Sequence, residues 1–269
     1  MSDTPAAGMT RLPHPARLLA VQTRHQVRLL LANGRALAVG LGLPVILLIA
    51  SKGKHGSPNV AGYAIFGLTI TAWSSYGIRL VAAREAGILK RWRATPLPRW
   101  CYFAASILAS ALAGLLAGAI TVLAALVIYG PHFDQGPHVE LTVSGALAIL
   151  VALALGGLAW AATATAVTRL IPTVESALPV LLLTYFPVII ISGVLFAISE
   201  PHWLSSLAGD LPAQPLVDTL KAAVEHRAGA WLVPVRAMLV LAAWAAGGLL
   251  TALAVFQWEP HRPSPRRRR

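Results

Sequence analysis

The sequence predicts an all-α integral membrane protein with six transmembrane helices, and two observations carry that expectation. Hydrophobic residues make up 57% of the 269 and charged residues only 12%, about half the ~25% charged fraction of an ordinary soluble domain. The mean hydropathy is +0.68. The apolar residues are also gathered into six runs, most of them long enough for a hydrocarbon core about 30 Å thick.

Residues 1–35 read as a cytoplasmic segment. Arg11, Arg17, Arg24, Arg28 and Arg35 are scattered through it with no apolar h-region and no small-residue cleavage site. No removable leader is therefore expected, and the first apolar run stays as a span. Leu18, Val21, His25 and Leu29 recur at helical spacing while Arg17, Arg24 and Arg28 fall on other sides, which predicts a helix over 16–31 lying in the cytoplasmic interface.

A single transmembrane domain follows over 36–258. Ala36–Ala50 is a short first span, about 22 Å of helix, and Arg35 and Lys52 can snorkel at its ends. Asn59–Ile78, Cys101–Tyr129, Leu141–Thr168 and Ser176–Ser199 each contain no Asp, Glu, Lys or Arg. The two longest of these must tilt, bend or project beyond the bilayer. Trp231–Arg236 precedes the sixth run, Ala237–Trp258, and residues 259–269 form a basic tail whose Arg266–Arg269 suits an electrostatic anchor to anionic lipid.

Orientation follows from the basic residues. With the N-terminus inside, 17 of the 22 Lys and Arg fall in cytoplasmic segments, six of them within 79–99. Only Lys52, Lys54, Lys221, Arg227 and Arg236 lie outside, so both termini are expected in the cytoplasm. The same placement argues against a nucleic-acid binder despite the net charge of +12, because the basic residues border apolar runs instead of forming one soluble basic face.

Little chemistry lies inside the runs. Cys101 is the only cysteine, so neither an intramolecular disulfide nor a Cys-based zinc site can form. His132, Asp134, His138 and Glu140 share one external loop, but Pro131, Gly136 and Pro137 between them favour a solvated turn over a metal site. No G-x-x-x-x-G-K-[ST] motif is present, and Gly53-Lys54 lacks the strand-to-helix context of a phosphate cradle. No catalytic residue and no metal ligand is assigned. An intramembrane enzyme would need a nucleophile–base pair, a metal triad or facing carboxylates, and all eight His lie outside the runs. An ion-coupled transporter would need an ionisable residue at mid-membrane, for which Arg79, Glu175 and Arg236 come nearest. Trp73, Ser74, Ser75, Tyr76, Thr184, Tyr185 and Ser192 are possible path-lining groups, although such residues more often pack and hydrogen-bond between helices. Gly114/Gly118, Gly156-Gly157 and Gly247-Gly248 mark places where helices can approach closely.

The distinctive residues lie between and at the ends of the runs. The loop after the second run, Arg84–Pro98, is basic and places Ala86, Leu89 and Trp92 on one helical face, with Pro96 and Pro98 stopping the helix. Its Arg84, Glu85, Gly87, Leu89, Arg93, Thr95 and Pro96 match the R-E-x-G-x-L-x-x-L-R-x-[ST]-P pattern that follows the second span in type-2 ABC transporter permeases, with Trp92 in place of the usual Leu. Pro187, Ser192, Gly193 and Phe196 resemble the P-x-x-x-x-S-G element of that family's fifth span. Pro201–Leu204, Leu211-Pro212 and Pro215–Lys221 resemble its extracellular segment before the last span, and Phe256–Pro260 its end.

The chain is thus similar to ABC-2 permeases, including those of the daunorubicin-resistance type. That resemblance implies the membrane subunit of an exporter and no enzymatic activity of its own. It implies a homodimer paired with two copies of a separate ATPase, which would hold the ATP and Mg, so this chain is expected to bind no cofactor. It further implies that Arg84, Glu85, Gly87, Leu89, Lys90, Trp92, Arg93 and Pro96 meet the ATPase, and that short helices within 200–230 re-enter the outer leaflet. The expected cargo is a hydrophobic drug- or antibiotic-like molecule, with a lipid or lipid-linked glycan as the alternative. Eighteen Arg against four Lys, with abundant Ala, point to a GC-rich bacterial genome, and the expected location is the bacterial inner membrane. In a Cys101→Ala background, cysteine at Gln135 is expected to react with an impermeant thiol reagent from outside, and cysteine at Lys90 only after the membrane is opened. The reverse pattern in a labelling assay on intact cells would invert the topology.

Overall fold

Helices account for every regular element of the described residues, which in this computed structural model are 14–52, 59–93, 97–130, 143–194, 202–224 and 235–255. In chain order they are α1 (Pro15–Ala32), α2 (Gly34–Ala50), α3 (Val60–Thr69), a π-helical turn (Ile70–Ser75), α4 (Tyr76–Glu85), α5 (Ile88–Arg93) and α6 (Arg99–Tyr129). Then come α7 (Val143–Val167, prolonged by a 3-10 turn at Thr168–Leu170), α8 (Val174–Ile191), α9 (His202–Gly209), α10 (Gln214–Val224) and α11 (Val235–Val255). Four stretches, Trp100–Tyr129, Val143–Leu170, Val174–Ile191 and Val235–Ala254, are long and apolar enough to cross a membrane. The second expected run is a helical rod in three pieces, α3, the π turn and α4, reaching Glu85 and not stopping at Ile78. The first is the short apolar helix Ala38–Ala50 within α2.

Local signals explain the ends. Asn59 caps α3 by accepting from the Gly62 N–H at 2.8 Å, and Thr173 and Ser176 form a capping box at the start of α8. Pro98 sits in extended conformation at the N-cap of α6, and Gly130 closes that helix with φ of +74°, a geometry that suits glycine.

α1 forms where helical spacing predicts it, and the residues by which it packs on the bundle are not those of its expected interfacial face. Gln22 and Leu30 are buried, whereas Val21 is 63% and Leu29 50% exposed, and His25 is exposed. The reason is its partner. α6 offers the small residues Ala109 and Ala113, against which Leu30 and Val27 pack. Val21 and Leu29 are thereby left on the outer face.

α7 lies at the centre, packed against α6, α10, α11 and the π turn. Close approach is what its glycines provide: a Cβ on Gly157 would lie 2.8 Å from the Ala111 carbonyl oxygen of α6, and one on Gly156 would strike Leu216 of α10. Gly248 of α11 meets the backbone of Ala162 in the same way. Between helices in a bilayer such contacts carry the packing that hydrophobicity cannot supply. The α9–α10 corner is fastened to α11, since Trp244 Nε1 donates to the Asp210 carbonyl at 2.8 Å and Arg236 pairs with the Asp210 carboxylate at 3.2 Å. Whereas Gly157→Ala adds one methyl against a backbone oxygen, Gly157→Leu forces α6 and α7 apart. Thermal unfolding in detergent should show a loss of about 1–3 kcal/mol for the smaller change and a failure to reach monodisperse protein for the larger. Wild-type melting of Gly157→Leu would contradict this packing.

Candidate functional site

The loop that carries the basic motif is built around a break at Gly87. α4 ends at Glu85, Ala86 caps it, and Gly87 adopts φ of +69° with open space where a Cβ would stand. Its conformation, not crowding, is what calls for glycine. α5 starts immediately afterwards, with the Arg91 N–H donating to the Gly87 carbonyl. The break corrects the expected single amphipathic face: Ala86 is exposed at the end of one helix, while Leu89 is fully buried in the next. Among the described side chains of α5, Ile88 and Arg91 are exposed. Lys90, Trp92 and Arg93 belong to α5 by backbone, but their side chains, like Ala94, Thr95 and Pro96 as a whole, lie outside the described residues.

Arg84 and Glu85 face different ways. Arg84 is 1% exposed and presents no surface to a partner in this conformation. Its guanidinium donates to the Thr168 carbonyl at 3.0 Å and to the Ile171 carbonyl, the two oxygens that bound the turn between α7 and α8. Planar, forked and always charged, an arginine is suited to holding two such acceptors at once. Glu85 is exposed and accepts from the Val174 N–H at 2.9 Å. A carboxylate on the first free N–H of α8 also complements the positive end of that helix. The pair therefore latches the C-terminal end of the rod to the start of α8.

A second latch sits at the other end. Ser192 caps α8, Gly193 takes φ of +61°, and the Val194 N–H reaches back to the Ile189 carbonyl at 3.2 Å, a Schellman closure. Asn59 Nδ2 then donates to the Val194 carbonyl at 2.8 Å. The Ser-Gly element thus ends the helix and offers a carbonyl to the residue that caps the rod. The Ser192 hydroxyl is buried and has no partner among the described residues.

Between the latches lie most of the candidate path residues, and three of them are committed inside the chain. Trp73 is buried, donates from Nε1 to the Leu181 carbonyl at 3.0 Å, and stands edge-on to Trp160 at 5.3 Å. Tyr185 shares a hydrogen bond with Thr69 at 2.9 Å and packs edge-on to Trp160 at 5.8 Å. Tyr76 bonds Thr165 of α7 at 2.9 Å. Thr184 is half-buried and returns its hydroxyl to the Val180 carbonyl of its own helix at 2.9 Å. Asn59, Thr165, Thr168 and Ile171 were missed by sequence reasoning. Asn59 alone carried a legible signal, an Asn directly before an apolar run.

Among the described residues no group of three or more His, Cys, Asp or Glu could hold a metal, and the His132–Glu140 cluster lies outside them. Removing Arg84 would take the charged donor from both carbonyls, leaving Thr168 only the Ile171 N–H at 3.3 Å and the Ile171 carbonyl of this buried turn without its guanidinium partner. Arg84→Ala should therefore lower stability by about 3 kcal/mol, against about 0.5–1 kcal/mol for Glu85→Ala. Thermal melts of purified protein check the order, and equal losses would contradict the inward placement of Arg84.

Comparison with known families places this geometry. The model of the ABC-2 family transporter protein matches residues 44–256, which takes in the rod, both latches, α5 and the α9–α10 corner. No curated protein matches the chain. The matched span covers most of the sequence and every described segment after the first, of which it takes in the end, and on that ground the chain belongs to the ABC-2 family of transporter membrane proteins.

Proposed function

We propose that this chain is the permease of a bacterial inner-membrane exporter driven by a separate ATPase. The observation that carries the reading is the attachment of α5, which joins the rod at Gly87, two residues beyond the latch that Arg84 and Glu85 form with α8. A short helix hung at that point moves the second and fifth runs together when it is pushed. Exposed Ile88 and Arg91, with the flanking Lys90, Trp92, Arg93 and Pro96, would meet the ATPase. Leu89 would seat α5 on the chain, and Arg84 and Glu85 would pass on its motion as positioning residues. ATP and Mg would bind on the partner.

Six spans with both termini inside follow if α2 and the rod cross alongside the four long helices, and α9–α10 would then enter the outer leaflet from outside. A second copy would cover the apolar face of α8, where Leu178, Leu183, Phe186 and Ile190 are exposed. A path between copies would be lined by that face and Thr184, while Trp73, Tyr76 and Tyr185 keep the protomer rigid behind it. Such an apolar lining favours a hydrophobic small molecule, with a lipid or lipid-linked glycan as the second reading.

The test is nucleotide turnover in reconstituted vesicles holding the ATPase. Gly87→Pro cannot adopt positive φ, so it should leave the permease in the membrane and abolish its stimulation of ATP hydrolysis. Glu85→Ala is expected to do the same, and Arg91→Glu to weaken capture of the ATPase itself. Full stimulation by Gly87→Pro would sink the coupling role.

A further inference from the structure

Beneath α1 is a cavity of about 160 Å³, well above the ~10–15 Å³ a single water needs by the same measure. It lies between α1, the end of the rod, α5 and α6, and its polar lining is Arg79, Gln26, Tyr76, Tyr102, Ser106 and Ser110. Arg79 is half-buried, about 9 Å of helix short of the end of α4. Its described bonds go only to neutral acceptors, the Ser75 carbonyl at 3.3 Å and the Ser110 hydroxyl at 3.2 Å. The Tyr76 ring lies 5.9 Å from the guanidinium carbon. No carboxylate among the described residues pairs with it. A guanidinium has five donors, and a half-buried cation with neutral partners is short of counter-charge.

We infer that this cavity binds the phosphate group of an anionic phospholipid, with Arg79 as its charge partner and the Ser110 hydroxyl beside it. Two features make the source a lipid and not a free phosphate. The cavity is rimmed by Leu29 and Ile88, 50% and 44% exposed, apolar side chains against which acyl chains can lie. Arg17, Arg24 and Arg28 are exposed on the covering helix, where basic residues raise the local concentration of anionic lipid. This goes beyond the transport reading, since it assigns no cargo and needs no ATPase, and the two can fail separately.

The experiment is lipid binding by the purified full chain in neutral detergent, read by native mass spectrometry. Phosphatidylglycerol is compared with phosphatidylcholine of the same acyl chains. Wild type should retain the anionic lipid about tenfold more tightly, because both lipids carry the phosphate but the choline cation of phosphatidylcholine already offsets the charge that Arg79 would pair. Arg79→Gln should erase that preference, Arg79→Lys should keep part of it, and Arg24→Gln/Arg28→Gln should keep most of it. Should Arg79→Gln fail to fold, Ser110→Ala takes its place and should reduce the preference. A preference that survives in Arg79→Gln or in the hydroxyl variant overturns the site, and so does one erased by Arg24→Gln/Arg28→Gln. Complete displacement of the lipid by soluble glycerol phosphate would overturn the lipid assignment in favour of a free phosphate.

Discussion

The rod formed by α3, the π turn and α4 is bound to α8 at both ends and in the middle, and the rest of the architecture is arranged around that bond. Arg84 and Glu85 hold one end, Asn59 the other, and Trp73 and Thr69 grip Leu181 and Tyr185 between them. Three of these contacts end on backbone carbonyls and one on a backbone N–H. In lipid there is no hydrophobic force to draw helices together, and unpaired backbone groups are costly. Polar contacts at helix ends, where carbonyls and N–H groups are free, therefore decide which helices stay together. Trp160 of α7 stacks against both Trp73 and Tyr185, so the central helix is packed onto the same bond.

This arrangement gives the family motifs a physical meaning. The Arg-Glu pair and the Ser-Gly pair lie more than a hundred residues apart, yet they close opposite ends of one helix pair. Arginine at position 84 reads as a surface charge in a basic loop, but it is a bracket for the α7–α8 turn. Glycine at position 87 releases α5 from α4 just past that bracket. A push on α5 therefore meets a stiff pair of helices and not one flexible span, which is the property an energy-coupling element requires.

Much of the fold was legible because membrane helices declare themselves by long uncharged runs, as α6, α7, α8 and α11 do. Their ends were less legible. α4 continues past Ile78 because Arg79 and Arg84 find neutral acceptors within the protein, an outcome no charge count can foresee. The π turn at Ile70–Ser75 has no sequence mark. The face by which α1 packs on the bundle was not legible, because Leu30 is drawn inward by the small residues of α6, a property of the partner and not of α1. At the site, the residue types were visible and their partners were not, since Thr168, Ile171 and Val174 lie some 84 to 89 residues away from Arg84 and Glu85.

The central claim is that the rod and α8 move as one body. It is tested most directly by a spin-label distance between Ala86 and Leu178, both exposed, in the reconstituted transporter before and after trapping with ATP. The account predicts a distance that holds to within about 1.5 Å, one residue of helical rise. A displacement of about 5.4 Å, a full helical turn, would mean that the latches open during the cycle and would contradict it.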